Sequence, residues 1–233
     1  MTVYTAIIGN YDELKEPFVI TPGWNYVCFT DQDLQSNTWE IRKVDILPFG
    51  RAKTARHIKI LPHLYLADPE TLWIDGTFFI NCDLNEWWRH FRNPFTTVKH
   101  PFDRCIYTDI WSCLASGKGD PHVLRQQRKA YQEAGIPTEN GLISSGILMR
   151  KDCDSVRRFC ELWWSQVEKY TERDQIAFGY ANHLLPNSHY GMSWNYTSQH
   201  PNREFIHHPH KHKRWSSQLY EERLKKYGSN KTS

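Results

Sequence analysis

The sequence predicts an α/β fold, a mixed and mostly parallel sheet flanked by helices in a single domain. Three observations predict it. Short apolar runs in the first half end in polar loops, as buried parallel strands do. A segment of helical length, residues 51–67, separates the third run from the fourth and supplies the crossover that parallel neighbours need. The fourth run, Leu72-Trp73-Ile74, delivers one carboxylate, Asp75, directly into Gly76 and Thr77. An acid at the carboxyl end of a buried strand is where open α/β sheets handle ligands.

In chain order, residues 3–8 read as the first strand and 9–12 as its loop. Residues 24–29 form a second strand ending at Thr30-Asp31, and 39–44 a third. Ala55, Ile58, Leu61 and Tyr65 mark a helical stripe through 51–67, with Pro62 expected to kink or divide it. Residues 72–75 are the fourth strand. Further helices are expected over 83–91, 121–134, 152–170 and 173–182. A strand over 146–150 is expected behind a Ser144-Ser145-Gly146 turn. From residue 184 the chain reads as irregular, and a charged helix over 217–227 closes it. The division expected is a catalytic-type domain over 1–206 and a basic, His-rich segment over 207–233.

With 233 residues, 39% hydrophobic and 24% charged, the chain can bury one large core. A net charge of +3 is too small to argue for nucleic acid by itself. Aromatic residues reach 14%, which suits sugars and bases, although most rings should be core. The start lacks the pattern of a secretory signal, and no apolar run approaches the ~18 residues of a membrane helix. Cys28, Cys82, Cys105, Cys113, Cys153 and Cys160 are scattered without a C-x-x-C pair. They read as reduced thiols in a cytoplasmic protein.

Three strands lead into polar loops: Gly9-Asn10-Tyr11-Asp12, Thr30-Asp31-Gln32 and Asp75-Gly76-Thr77. Each alone is ordinary turn chemistry; converging on one crevice, they could hold a base and a ribose. Neither G-x-G-x-x-G nor a P-loop is present, so dinucleotide and NTPase sites find no support. Arg51, Lys53, Arg56, Lys59 and His63 line the following helix, with 56, 59 and 63 on one face. That stripe is either a solvated face or a diphosphate clamp. Asp174-Gln175 opens another helix. A first-turn acid there suits the macrodipole, or else floors a pocket facing a developing cation. His207, His208, His210 and His212 are a solvated loop or metal ligands. H-E-x-x-H and G-x-S-x-G are absent, which argues against zinc-hydrolase and serine-hydrolase chemistry.

In the order IIGNYDELKEP, WNYVCFTD, RAKTARHIKILPH, TLWIDGTFFI, GLISSGILMR, LWW and RDQIAF, the chain resembles a glycosyltransferase-like family formerly of unknown function. That family includes plant mucilage hexosyltransferase-like proteins and is distantly similar to the family 8 nucleotide-sugar transferases of GT-A fold. The resemblance spans about residues 3–180. It implies a GT-A-like fold and a nucleoside-diphosphate sugar donor, UDP-linked, whose sugar passes to an acceptor hydroxyl with retention. It places Asn10, Tyr11, Asp12 and Asp31 around the nucleoside, and Arg51, Lys53 and Lys59 near the diphosphate or sugar. Asp75, with Gly76, takes the first position of the D-x-D metal motif. Ser145 and Gly146 line the sugar pocket, and Asp174 and Gln175 lie beneath the anomeric carbon as the catalytic pair. Asp75, His208 and His210 would hold Mn2+ or Mg2+. Thr77 stands where the second aspartate is usual, which weakens oxygen-rich coordination. The acceptor implied is a saccharide or lipid-linked glycan. A modified DNA base is the alternative, suggested by Lys211, Lys213, Arg214, Lys225 and Lys226. A further alternative is a non-catalytic nucleotide-sugar or carbohydrate-binding module.

Overall fold

The computed structural model describes residues 1–89, 91, 93–100, 105–186, 190–192 and 204–208. The strands are β1 (Thr2–Ile7), β2 (Asn25–Thr30), β3 (Glu40–Lys43), β4 (Glu70–Ile74), β5 (Phe78–Ile80), β6 (Phe95–Lys99), β7 (Ile143–Lys151), β8 (Tyr190–Met192) and β9 (Phe205–His207). The helices are α1 (Arg51–Ile60), α2 (Leu84–Trp88), α3 (Ile106–Ser116), α4 (Pro121–Glu133), α5 (Asp154–Lys169) and α6 (Asp174–Leu184). The main sheet has the order β3-β2-β1-β4-β7-β6-β8. Strands β3, β2, β1 and β4 are parallel, β7 runs against β4 and β6, and β8 is parallel to β6. The sheet is therefore mixed with one reversed strand, as the alternation of apolar runs and helices predicts.

The strands alternate between two buried faces, so neighbouring residues enter different layers. Tyr4, Val27, Trp73 and Leu148 join Phe159, Trp163 and Phe178 on the α5–α6 side. Val3, Cys28, Leu72 and Ile147 pack with Phe78, Trp87 and Phe205 on the other. A third cluster, including Ile110, Leu124, Tyr131 and Ile176, ties α3 and α4 to α6.

Several expectations are corrected. The segment over 51–67 is divided at Pro62, as expected, but only its first part is α-helix: α1 stops at Ile60, and Pro62–Leu64 forms a separate 3-10 turn. Leu61 leaves helical space at φ −113°, ψ 59°, because the residue before a proline is driven out of it. Ser144-Ser145-Gly146 is not a turn ahead of a strand but lies inside β7. Along β6 the pairing jumps from Thr97–Leu148 to Val98–Ser144, which leaves residues 145–147 as a bulge. Beyond residue 184 the chain is not wholly irregular, since β8 joins the sheet and β9 pairs with β5. Strand β6 and helix α3 were not expected. The helix over 217–227 and the basic residues from 211 onward lie outside the described residues.

No helix among the described residues is long and apolar enough to cross a membrane. All six cysteines are free.

Candidate functional site

The site forms where the carboxyl end of β4 meets the last turn of α1, the bulge of β7 and the start of α6. Lys59, fully buried, is its hub. Its Nζ lies 2.7 Å from Asp174 Oδ2 and 3.1 Å from Asp75 Oδ1, and it donates to Ser145 Oγ at 3.0 Å. Ser145 Oγ donates in turn to Asp174 Oδ2 at 2.8 Å. Arg56, one turn earlier on α1, brings Nε to 3.3 Å from Asp174 Oδ1. That is ion-pair distance, with no hydrogen bond made by Nε. Residues three apart on a helix share a face, which is why both cations reach one carboxylate.

Asp174 opens α6, where a first-turn acid meets the positive end of the helix. Burial by itself would raise its carboxyl. The charges of Lys59 and Arg56 and the hydrogen bonds from Lys59 and Ser145 outweigh burial and hold it well below the usual carboxylate range. Trp163 Nε1 donates to the Asp174 carbonyl at 2.7 Å and fixes the backbone there. A carboxylate so depressed and so fully engaged is a poor general base. Gln175 follows it in the first turn and is half-buried.

Asp75 keeps a third of its side chain exposed while Oδ1 accepts from Lys59 and, at 2.7 Å, from Trp73 Nε1. Its amide donates to the Gly146 carbonyl at 2.8 Å, so the β7 bulge also sets the backbone of the acid. Gly76 is crowded: a Cβ there would lie 2.5 Å from Ile7 Cδ1, which would have to shift, and 3.6 Å from Asp12 Cβ. The β1 loop thus lies against the Asp75 loop. In that loop Gly9 (φ 70°) donates to Asp31 Oδ1 at 2.8 Å, and Asn10 also sits in left-handed space at φ 58°. Arg51 crosses Gly9 so closely that its Cδ would lie 2.5 Å from a Cβ there. Tyr11 is exposed and lies in the neighbourhood of Arg56.

The structure therefore gathers Lys59, Asp75, Ser145, Gly146 and Asp174 tightly, with Gly76, Asp12, Asp31, Asn10, Tyr11 and Arg51 around the neighbouring strand ends. Lys53 points elsewhere, donating to the Glu168 carbonyl at the end of α5 at 2.8 Å. Arg56 belongs to the cluster although the residues assigned from the sequence favour Lys53 over it. Its i, i+3 spacing to Lys59 was the available signal. Trp73 was unmarked, since indole donors look like core in a sequence.

Among the described residues no group of three His, Cys, Asp or Glu is placed to hold a metal. The β5–β9 pairing nevertheless brings His208 to the Asp75 loop, its amide donating to the Thr77 carbonyl at 2.6 Å. His210 lies outside the described residues. Two cations, Lys59 and Arg56, already balance Asp75 and Asp174, so a bound diphosphate would add negative charge that this cluster does not meet. On this loop Asp75 and the His208 imidazole, whose ring packs edge-on against Phe79, are the described groups that could hold a divalent ion together with phosphate oxygens.

Residues 1–212 match the TOD1/MUCI70 glycosyltransferase-like domain. The chain is 22% identical over 210 residues to the probable hexosyltransferase MUCI70 of Arabidopsis thaliana, covering 76% of this chain and 36% of that protein. It thus spans about a third of the length of the curated relative it matches. Among solved structures, the glycosyltransferase GlyE of Streptococcus pneumoniae TIGR4 is similar with a TM-score of 0.50 at 12% identity, over 95% of this chain and 59% of that one. The galactosyltransferase LgtC, solved with donor and acceptor sugar analogs, gives a TM-score of 0.49 at 12% identity, over 100% of this chain and 97% of that one.

Proposed function

This chain belongs to the TOD1/MUCI70 glycosyltransferase-like family, and on that premise we propose that it transfers a sugar from a UDP-linked donor to an acceptor hydroxyl with retention. One observation carries the reading: Lys59 joins Asp75, Ser145 and Asp174 in a single buried network at the end of β4. The reaction breaks the bond between the anomeric carbon and the diphosphate oxygen and forms one to the acceptor oxygen. Positive charge develops on the sugar ring and negative charge on the leaving diphosphate. Preorganised charges at those two places lower the barrier.

Asp174, held ionised, faces the sugar with Gln175 and stabilises the developing cation. Lys59 and Arg56 keep that carboxylate fixed, and Arg51 approaches the diphosphate from across Gly9. Asp12, Asp31, Asn10 and Tyr11 border the nucleoside. Lys53, committed to α5, has no part in donor binding in this reading. When bound, Mn2+ or Mg2+ on Asp75 and His208 supplies positive charge to the diphosphate. An inverting reaction would need a base near the acceptor, and the depressed Asp174 is unsuited to that task. The acceptor's proton passes to a phosphate oxygen of the departing diphosphate. The acceptor is a saccharide or lipid-linked glycan.

The test incubates the protein with UDP-sugars and Mn2+, follows release of UDP, and assigns the anomer of the product by NMR. Wild type should turn over one donor, with Asp75→Ala and Asp174→Ala losing at least about a hundredfold in rate. Equal turnover in all three proteins would remove the site assignment, and an inverted anomer would remove retention.

A further inference from the structure

Arg150 is the largest charged side chain in the core, only 2% exposed, and among the described residues it makes no ion pair with a carboxylate. A guanidinium taken out of water without a counter-ion is costly unless other strong acceptors replace its hydration. Its acceptors are carbonyls at the end of α1. One Nη donates to the Ile60 carbonyl at 3.1 Å; the other donates to the Lys59 carbonyl at 2.6 Å and to Tyr4 Oη. Tyr4 Oη donates to the same Lys59 carbonyl at 2.9 Å. The guanidinium is flanked by the rings of Tyr4 and Phe95, 5.8 and 5.9 Å from their centroids.

The last carbonyls of a helix have no partner within it, and a cation there meets the negative end of the helix. That explains why Arg150 is tolerated. It does not explain why two donors converge on one particular carbonyl. The carbonyl they share belongs to Lys59, whose ammonium is the hub of the site.

We propose that Arg150 and Tyr4 form a buried strut that positions Lys59, so that β7 holds this lysine at both ends. Ser145, early in β7, takes the ammonium; Arg150, late in the same strand, fixes the carbonyl. Lys59 reaches Asp75, Ser145 and Asp174 at 2.7–3.1 Å. A displacement of about 1 Å at its backbone would break that set of contacts and cost on the order of a hundredfold in rate. Arg150 and Tyr4 are positioning residues, since they touch the lysine and not the substrate. The catalytic part of the proposal rests on the sugar-transfer reading above; the positioning part does not.

The test uses Arg150→Lys and Tyr4→Phe in the whole chain, with thermal unfolding to show that each is folded. An N-hydroxysuccinimide ester is applied and acetylation of Lys59 is followed by mass spectrometry. Wild-type Lys59 should be protected, and both variants should label it faster by about tenfold or more, because the lysine leaves its buried seat. Protection as complete as in wild type in both folded variants overturns the strut. This readout stands whether or not any nucleotide sugar is turned over. With a turned-over donor, Arg150→Lys should lower kcat by about tenfold or more at a nearly unchanged KM, and should cost nothing further in a Lys59→Met background. Losses that add in the double variant overturn the action through Lys59. Should wild type turn over no donor, the sugar-transfer reading fails while the labelling result still decides the strut.

Discussion

Replacing Asp174 by Asn keeps the shape of the side chain and removes one charge from the centre of the site. Lys59 has no exposed side-chain surface and Asp174 has 5%, at a separation of 2.7 Å. Breaking a buried pair from one side leaves the partner's charge uncompensated and costs about 3–5 kcal/mol. Lys59 keeps Asp75 as a second partner at 3.1 Å, and Asp75 is partly solvated, so the lower end applies: about 3 kcal/mol. For a chain of this length that lowers Tm by roughly 6–12 °C. Urea and thermal unfolding of wild type and Asp174→Asn measure it. The pH dependence supplies a second check. Asp174 is depressed in the folded protein, so its contribution is complete above the unfolded carboxylate value of about 4. It is lost as pH falls further, through the lower folded value. The gap between the two proteins should therefore be full at neutral pH and narrow in acid below about pH 4. A loss under about 1 kcal/mol at neutral pH, or a gap that persists unchanged in acid, would refute the reasoning.

Gly179, inside α6, would place a Cβ 2.4 Å from Ile106 Cγ2. Overpacking of about 1–3 kcal/mol outweighs a helix-propensity gain of about 1 kcal/mol, so Gly179→Ala should lower the urea midpoint; a raised midpoint contradicts the close α3–α6 packing. Burial pushes the Cys28 and Cys82 thiols up to about 12, so iodoacetamide at mildly alkaline pH should leave both unmodified until denaturant is added. Rapid native labelling of Cys28 would argue against its burial. Adding Mn2+ should increase the thermal shift produced by a UDP-sugar, because a ligand bound only to the folded state stabilises by mass action. That increment should vanish in Asp75→Ala and in His208→Ala; its survival in both would take the ion elsewhere.

Much of this was legible because burial writes itself into local pattern. The strand ends before Asp75, Asp31 and Asn10 are set by short apolar runs, and Asp174 by the start of an amphipathic helix. The stripe Arg56–Lys59 gave the face of α1, but a stripe says nothing of which cation meets which acid. Lys53 and Lys59 lie six residues apart, on different sides of a helix with 3.6 residues per turn, and only tertiary packing sent one to Glu168 and the other to Asp174. Helix α3 went unseen because IYTDIWSCLAS is rich in β-branched and aromatic residues of modest helix propensity. The pairing of β5 with β9 joins Phe78 to His207, a contact across the chain that no local window contains. Ser144-Ser145-Gly146 has the composition of a turn, and its place inside a strand is fixed by neighbours on both sides.

The bulge in β7 has a consequence for how this strand can vary. Ser145 and Arg150 are five positions apart, an odd interval, and in an unbroken pleat an odd interval sends two side chains to opposite faces. Here both serve one lysine, because the looped-out residues 145–147 absorb the half-period. The strand behaves like a text with a deliberate frame slip between two words that must be read together. Removing all three looped-out residues would close the ladder and take Ser145 with them, leaving Lys59 held at one end only. Selection on this segment should therefore act on its length as strictly as on its letters.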